Sequence, residues 1–174
     1  MATIYLRKLN VSDIRYFLKW WRDKDLLRLT SGRLRRISDG KVRKYFLKMI
    51  NSKADYHFII TLDKKSVGHI SLIKKGNNRY ETQIIIGEKK YWNKSYGTKA
   101  IKMLINKAKK MKIFKIYLEV RPNNIRAIKA YENCGFVRTK NKRYPRNKYL
   151  PETVRMELKY SKKNSNKTGN SWKK

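Results

Sequence analysis

A chain of 174 residues with 40% apolar and 12% aromatic side chains is long enough for one well-filled core and too short for two. It has no run near the roughly 20 apolar residues of a membrane span, its start MATIYLRKLN lacks a signal-peptide core, and a lone Cys134 excludes an internal disulfide framework. The charge is unusual: 46 Lys and Arg against 12 Asp and Glu, net +34, which attracts polyanions such as RNA and repels a strongly cationic partner.

These features place the chain in the cytoplasm or an organelle interior, with no membrane partner and no Cys/His cluster for zinc. Ile4 to Leu6 reads as a first strand. A helix starting near Ser12 or Asp13 follows, with Ile14, Phe17, Leu18 and Trp21 at helical spacing. WWRDKD and the loop Leu29–Ser38, with Arg33, Arg35 and Arg36, come next; this loop is a candidate contact for acceptor or RNA, or a solvated loop. Ser38 is placed to cap a second helix with Val42, Tyr45, Phe46 and Met49 on one stripe.

Tyr56–Thr61 and Val67–Ile73 read as a hairpin turning at Asp63-Lys64-Lys65, and Gly76-Asn77-Asn78 leads into a strand Tyr80–Ile86. His57 and His69 fall here, each a candidate base or a hydrogen-bonded structural residue. YWNKSYGTKAIKMLINKAKK then turns into a long helix with Ala100, Ile101, Leu104, Ile105, Ala108 and Met111 at the 3.6 period. The start of such a helix suits an anion, because its first N–H groups lack partners and the dipole's positive end lies there.

Ile116–Val120 is a short strand in which Glu119 points to the opposite face from Leu118 and Val120. Asn124 is placed to cap a helix with Ile125, Ile128 and Tyr131 on its apolar face, ended by Gly135. Cys134, beside that glycine, reads as a small buried residue rather than a nucleophile. KNKRYPRNKYL is a basic loop with tyrosines among its cations, suited to phosphate contact and stacking or to packing on the core. Val154–Leu158 is a last strand. Residues 161–174 have no periodicity, so the reading is a domain over 1–160 and a disordered basic tail.

Leu118-Glu119-Val120, Asn124, Ala127, Tyr131-Glu132 and Gly135-Phe136 together resemble the Gcn5-related N-acetyltransferases, and within them the ribosomal-protein N-terminal acetyltransferases. The resemblance implies an α/β fold: a mixed, mostly antiparallel sheet splayed between strands 4 and 5, helices on both faces, and acetyl-CoA in the splay. It implies Glu119 as the base for the amine and Tyr131 as the acid for the departing thiolate. Backbone N–H groups of Ile84, Ile85 and Ile86 would hold pantetheine and polarise the carbonyl. Those of Lys94, Ser95, Tyr96, Gly97 and Thr98 would hold the pyrophosphate, and Asn124 the coenzyme arm. The family's phosphate loop has Gln or Arg, two residues, Gly, any residue, then Gly or Ala; here Trp92, Ser95 and Gly97 stand at those places, so only the last glycine is kept.

An N-terminal α-amine, with a pKa of about 8, needs less help from a base than a lysine of about 10.4, which favours an N-terminal α-amine over lysine; the resemblance makes a ribosomal-protein N-terminus the expected acceptor. Two other readings stand beside it. One is a ribosome- or RNA-binding protein on the same scaffold, contacting RNA through the basic loops and tail. The other is a small-molecule amine or amino-sugar acetyltransferase, differing only in residues 20–50.

Overall fold

Asp63 and Lys64 both take positive φ, 45° and 67°, the left-handed pair that a two-residue hairpin turn requires. They join β2 (Tyr56–Leu62) to β3 (Lys65–Lys74) in the computed structural model, which describes residues 3–160. A second turn, with Gly76, Asn77 and Asn78 all at positive φ, delivers β4 (Arg79–Ile86) against β3. With β1 (Ile4–Lys8) on the outer edge, these four strands form an antiparallel meander.

β5 (Lys115–Val120) then pairs parallel to β4, and β7 (Glu152–Leu158) and β6 (Phe136–Arg143) complete a seven-stranded sheet ordered β1-β2-β3-β4-β5-β7-β6. The parallel pairing spans only Arg79–Glu81 against Lys115–Tyr117. Beyond it the two strands part, so the expected splay is present.

Strand alternation assigns the layers. Ile70, Leu72, Leu118, Val120, Val154 and Met156 point to one face, where α4 (Tyr96–Lys110) and α5 (Ile125–Glu132) cover them. The periodic residues Ala100, Ile101, Leu104, Ile105 and Ala108 of α4 are all buried there. Ile59 and Ile85 point to the other face, under α1 (Ile14–Trp20), α2 (Lys24–Leu29) and α3 (Asp39–Asn51). Phe17, Trp20, Val42 and Phe46 fill this second core.

Several details differ from the sequence reading. WWRDKD is not a plain connection: Asp23 accepts from the N–H groups of Asp25 and Leu26 and so caps α2. In α1 the buried pair is Phe17 and Trp20, with Trp21 at the margin. Ile125 is exposed, because the short α5 buries only Ile128 and Tyr131. The first half of the expected basic loop is strand: β6 runs to Arg143, a sheet edge whose exposed Lys and Arg discourage pairing with another chain. Residues 161–174, expected to be a disordered tail, lie outside the described residues. Among those described, no helix is long and apolar enough to cross a membrane.

Candidate functional site

The splay leaves one edge of β4 without a partner strand. Gly87 N–H donates to Val67 O at 2.8 Å, so Gly87 faces β3, and by alternation so does the backbone of Ile85. The N–H and C=O groups of Ile84 and Ile86 therefore face the splay. Of the three isoleucines expected to line it with backbone groups, Ile85 is the exception. Trp92 occupies the family's Gln or Arg position, and its indole N–H donates to Ile86 O at 2.7 Å, bracing the mouth of the splay.

The loop into α4 turns through Asn93 at φ 59° and Ser95 at φ 58°. Ser95 is thus a side chain in the left-handed region that the family's glycine would occupy at lower cost. Its hydroxyl does not cap the helix, so the N–H groups of Tyr96, Gly97 and Thr98 point out of α4 without a side-chain acceptor from Ser95. Gly97 has room around it: an added Cβ meets only Ile86 Cγ1 at 3.9 Å. Lys94 stands exposed in the same loop. These groups suit a pyrophosphate, and the adjoining splay suits a pantetheine arm.

Sequence reasoning missed Arg126. Its guanidinium lies 4.4 Å from the centre of the Trp92 ring and reaches Asn93 Oδ1 at 3.5 Å, adding a cation beside the phosphate loop. The only local signal was its place in the first turn of α5, and the contact partners lie more than thirty residues earlier.

Tyr131 lies on the α5 side of the sheet, packed edge-on against Phe136 with ring centres 5.8 Å apart. Burial, with a smaller contribution from Cys134, pushes its phenol well above the ordinary tyrosine value. Among the described residues its hydroxyl has no hydrogen-bond partner. The phenol therefore stays protonated, and its hydroxyl is open to bond a ligand. Cys134 is half-buried, its thiol raised by burial and directed at Thr98 O at 3.5 Å. Asn124 caps α5 by accepting from Ala127 N–H at 3.2 Å, while its amide donates to Leu29 O at 3.3 Å. Both ends of its amide are engaged, so it fixes α5 against the end of α2 rather than offering a free arm to a ligand.

Glu119 lies on the opposite sheet face from Tyr131, and its carboxylate is heavily engaged. It accepts from Tyr144 Oη at 2.5 Å and from Thr153 Oγ1 at 3.0 Å, with Lys142 Nζ at 3.4 Å and Arg155 at 3.7 Å. Burial alone would raise this carboxyl, but the two hydroxyl donors and Lys142 hold it below its ordinary range. The geometry makes Glu119 the anchor of a polar cluster joining β5, β6 and β7, and a weak base.

On that same face, between the sheet and α1 and α3, lies a cavity of about 360 Å³. Trp21, Tyr45 and Met49 line it from the helical side, and His57, His69, Ser71, Gln83 and Ile85 form its floor. One carboxylate, Asp55, and one cation, Lys48, complete the charged lining. The end of β4 is shared, so the cavity and the splay meet at Ile84 and Ile85.

Residues 3–137 match the family model described as acetyltransferase (GNAT) domain. An uncharacterized protein of Methanocaldococcus jannaschii is 30% identical over 79 residues, which are 45% of this chain and 16% of that protein. The spermidine N-acetyltransferase of Vibrio cholerae, solved with CoA and spermine, superposes with a TM-score of 0.77 at 23% identity, covering 89% of this chain and 94% of that one. An aminoglycoside acetyltransferase solved with coenzyme A and kanamycin superposes with a TM-score of 0.75 at 18% identity, covering 90% and 94%.

Proposed function

The chain belongs to the GNAT acetyltransferases, and we propose that it acetylates a primary amine of a small molecule held in the cavity beside β4. Bound acetyl-CoA supplies the acetyl group as a thioester. Ile84 and Ile86 offer backbone groups to the pantetheine arm, and the first N–H groups of α4, with Lys94 and Arg126, offer the pyrophosphate a positive cradle. Tyr131, neutral and unpartnered among the described residues, donates the proton the sulfur needs.

The observation that carries the acceptor class is the cavity itself. A volume of about 360 Å³ fits an amine of small-molecule size. The solved relatives named for spermidine and aminoglycosides support a small-molecule acceptor over a ribosomal-protein N-terminus. Charge narrows the class further. A polyamine would meet one carboxylate, Asp55, in a lining that also holds Lys48, within a chain of net charge +34. An amino sugar with one amine, especially one carrying an anionic group, suits that field better.

The test is release of free thiol from acetyl-CoA in the presence of amino sugars, nucleotide-linked amino sugars, spermidine and N-terminal peptides. Turnover with an amino sugar is expected. Turnover confined to N-terminal peptides overturns the small-molecule reading, and turnover best with spermidine overturns the charge argument.

A further inference from the structure

The cavity floor holds two histidines in direct contact. His57 Nδ1 and His69 Nε2 are 3.2 Å apart. The ring centres are 5.3 Å apart and the planes differ by 16°. So long a centre-to-centre distance for so short a nitrogen contact sets the rings edge to edge, the arrangement an N–H···N bond requires. The outer nitrogens, His69 Nδ1 and His57 Nε2, have no hydrogen-bond partner among the described residues.

The pair spans from the reaction side towards solvent. His69 is buried and stands opposite Ile85 in the β3–β4 register, one strand from the splay; His57 is half-buried. Phe17 closes over His69 with ring centres 5.0 Å apart. Beside them Ser71 Oγ is fully buried and lacks a hydrogen-bond partner among the described residues. A buried hydroxyl left open in a cavity floor is a place for a ligand or water to bond. Gln83, opposite Ser71 in register, continues the polar floor towards the splay.

Amide formation must dispose of a proton. The amine arrives as an ammonium. As the C–N bond forms and the C–S bond breaks, the nitrogen gives up two protons, the sulfur takes one, and one must leave. Glu119, tied to two hydroxyls and two cations, is poorly disposed to take it. We propose that the His57–His69 pair receives this proton at the cavity floor and passes it towards solvent. Each imidazole takes a proton at one nitrogen and releases one at the other, so the shared N–H···N bond carries one proton outward, after which rotation of the rings restores the starting tautomers for the next turnover.

The surrounding groups are compatible with this. The titratable groups lining the same cavity are Asp55, Lys48 and Tyr45. Asp55 is already occupied, accepting from Lys74 N–H at 2.8 Å and Ser52 Oγ at 2.9 Å. Burial lowers both histidines, His69 to about 3 with help from His57, so each ring rests neutral and a proton entering the pair is passed on rather than kept.

The proposal rests on the cavity being the acceptor site, and two measurements separate the ideas. With an amine that wild type turns over, His57→Gln and His69→Gln should lower kcat about 10-fold or more at pH 7. KM and acetyl-CoA affinity should stay nearly unchanged, the deficit should shrink towards pH 9 as more amine arrives neutral, and millimolar imidazole should restore part of the activity of His57→Ala. Unchanged kcat, or a loss confined to KM, overturns the relay while leaving the acceptor reading intact. Should no amine turn over, the acceptor reading falls and nitrogen-15 NMR of the free chain decides the relay. Two neutral rings sharing one proton between His57 Nδ1 and His69 Nε2 at pH 7 are expected; a cationic ring or two uncoupled rings overturns it.

Discussion

Tyr131 and Glu119 were read from one motif, yet their surroundings divide their roles. Tyr131 offers an unpaired, protonated hydroxyl, so Tyr131→Phe should lower kcat by about 10²-fold and barely change the midpoint of urea unfolding. A variant that turns over like wild type would remove Tyr131 as the acid. Glu119 is different, because its carboxylate balances Lys142 and the buried Arg155. Glu119→Gln should leave kcat within a few fold and cost roughly 2 kcal/mol of stability at pH 7, the scale of hydrogen bonds to a charged group. The sign with pH follows from the lowered carboxyl. Its stabilisation is full above the unfolded value of about 4.3 and fades as pH falls through the lower folded value. The gap between wild type and Glu119→Gln should therefore close in acid. A large kcat loss rescued by raising pH would instead restore Glu119 as the base.

At the scale of elements, the entry to α4 invites two substitutions with opposite expectations. Ser95→Gly relieves a side chain held at φ 58° and should add about 1 kcal/mol of stability while preserving acetyl-CoA binding; a large loss of affinity would make the Ser95 hydroxyl a phosphate ligand. Gly97→Val meets little protein, since its Cβ finds only Ile86 Cγ1 at 3.9 Å, so its effect should fall on the ligand. Calorimetry should show acetyl-CoA binding weakened about 10-fold, or roughly 1.4 kcal/mol, with folding nearly unchanged. Unaltered affinity would move the coenzyme elsewhere. What was legible in the sequence follows the same lines. The stripe of α4 and the turn residues Asp63 and 76–78 carry their geometry locally, in period and in tolerance of positive φ, whereas Lys64 at φ 67° has no such tolerance. The cap of α2 at Asp23 was legible in principle, but it lies in a six-residue helix too short for periodicity to reveal. Contacts made across the sheet were not legible: Arg126 on Trp92, Tyr144 on Glu119 and His57 beside His69 depend on register and crossover, which no short window contains. The Arg-rich loop reads in the sequence as a contact for acceptor or RNA, or as a solvated loop, with no sign of what holds it. In the structure Arg121 clasps it, donating to Thr30 O at 2.7 Å and to Tyr149 O at 2.5 Å, while Arg33 lies over the Tyr149 ring.

For the whole molecule, the sparse carboxylates act mainly as staples between elements. Asp13 holds Arg7, Glu88 holds Lys19, Asp39 holds Arg22, and Asp23 and Asp25 share Lys89. Those pairs engage five of the 12 carboxylates and leave a large surplus of cations facing one another across water. Such self-repulsion works against the compact state, while exposed pairs return little. Salt should therefore stabilise this fold. At low salt the surplus charges interact across tens of ångströms; at 0.1 M the screening length is about 10 Å. Raising sodium chloride from 20 mM to 0.5 M should raise Tm by about 3 °C or more, the shift that roughly 1 kcal/mol produces in a domain this size. A Tm that falls with salt would show that the ion pairs outweigh the repulsion. Short single-stranded RNA at 20 mM salt separates a diffuse surplus from an organised footprint on the Arg33, Arg35 and Arg36 loop and the Lys140–Lys148 segment. A footprint gives binding whose log–log salt slope approaches about −0.7 per phosphate contacted, hence several units for several contacts. A diffuse surplus should give no more stabilisation than simple anions at equal ionic strength. The diffuse outcome is expected if the acceptor is a small molecule, because the charge then needs only to draw an anionic ligand towards the cavity.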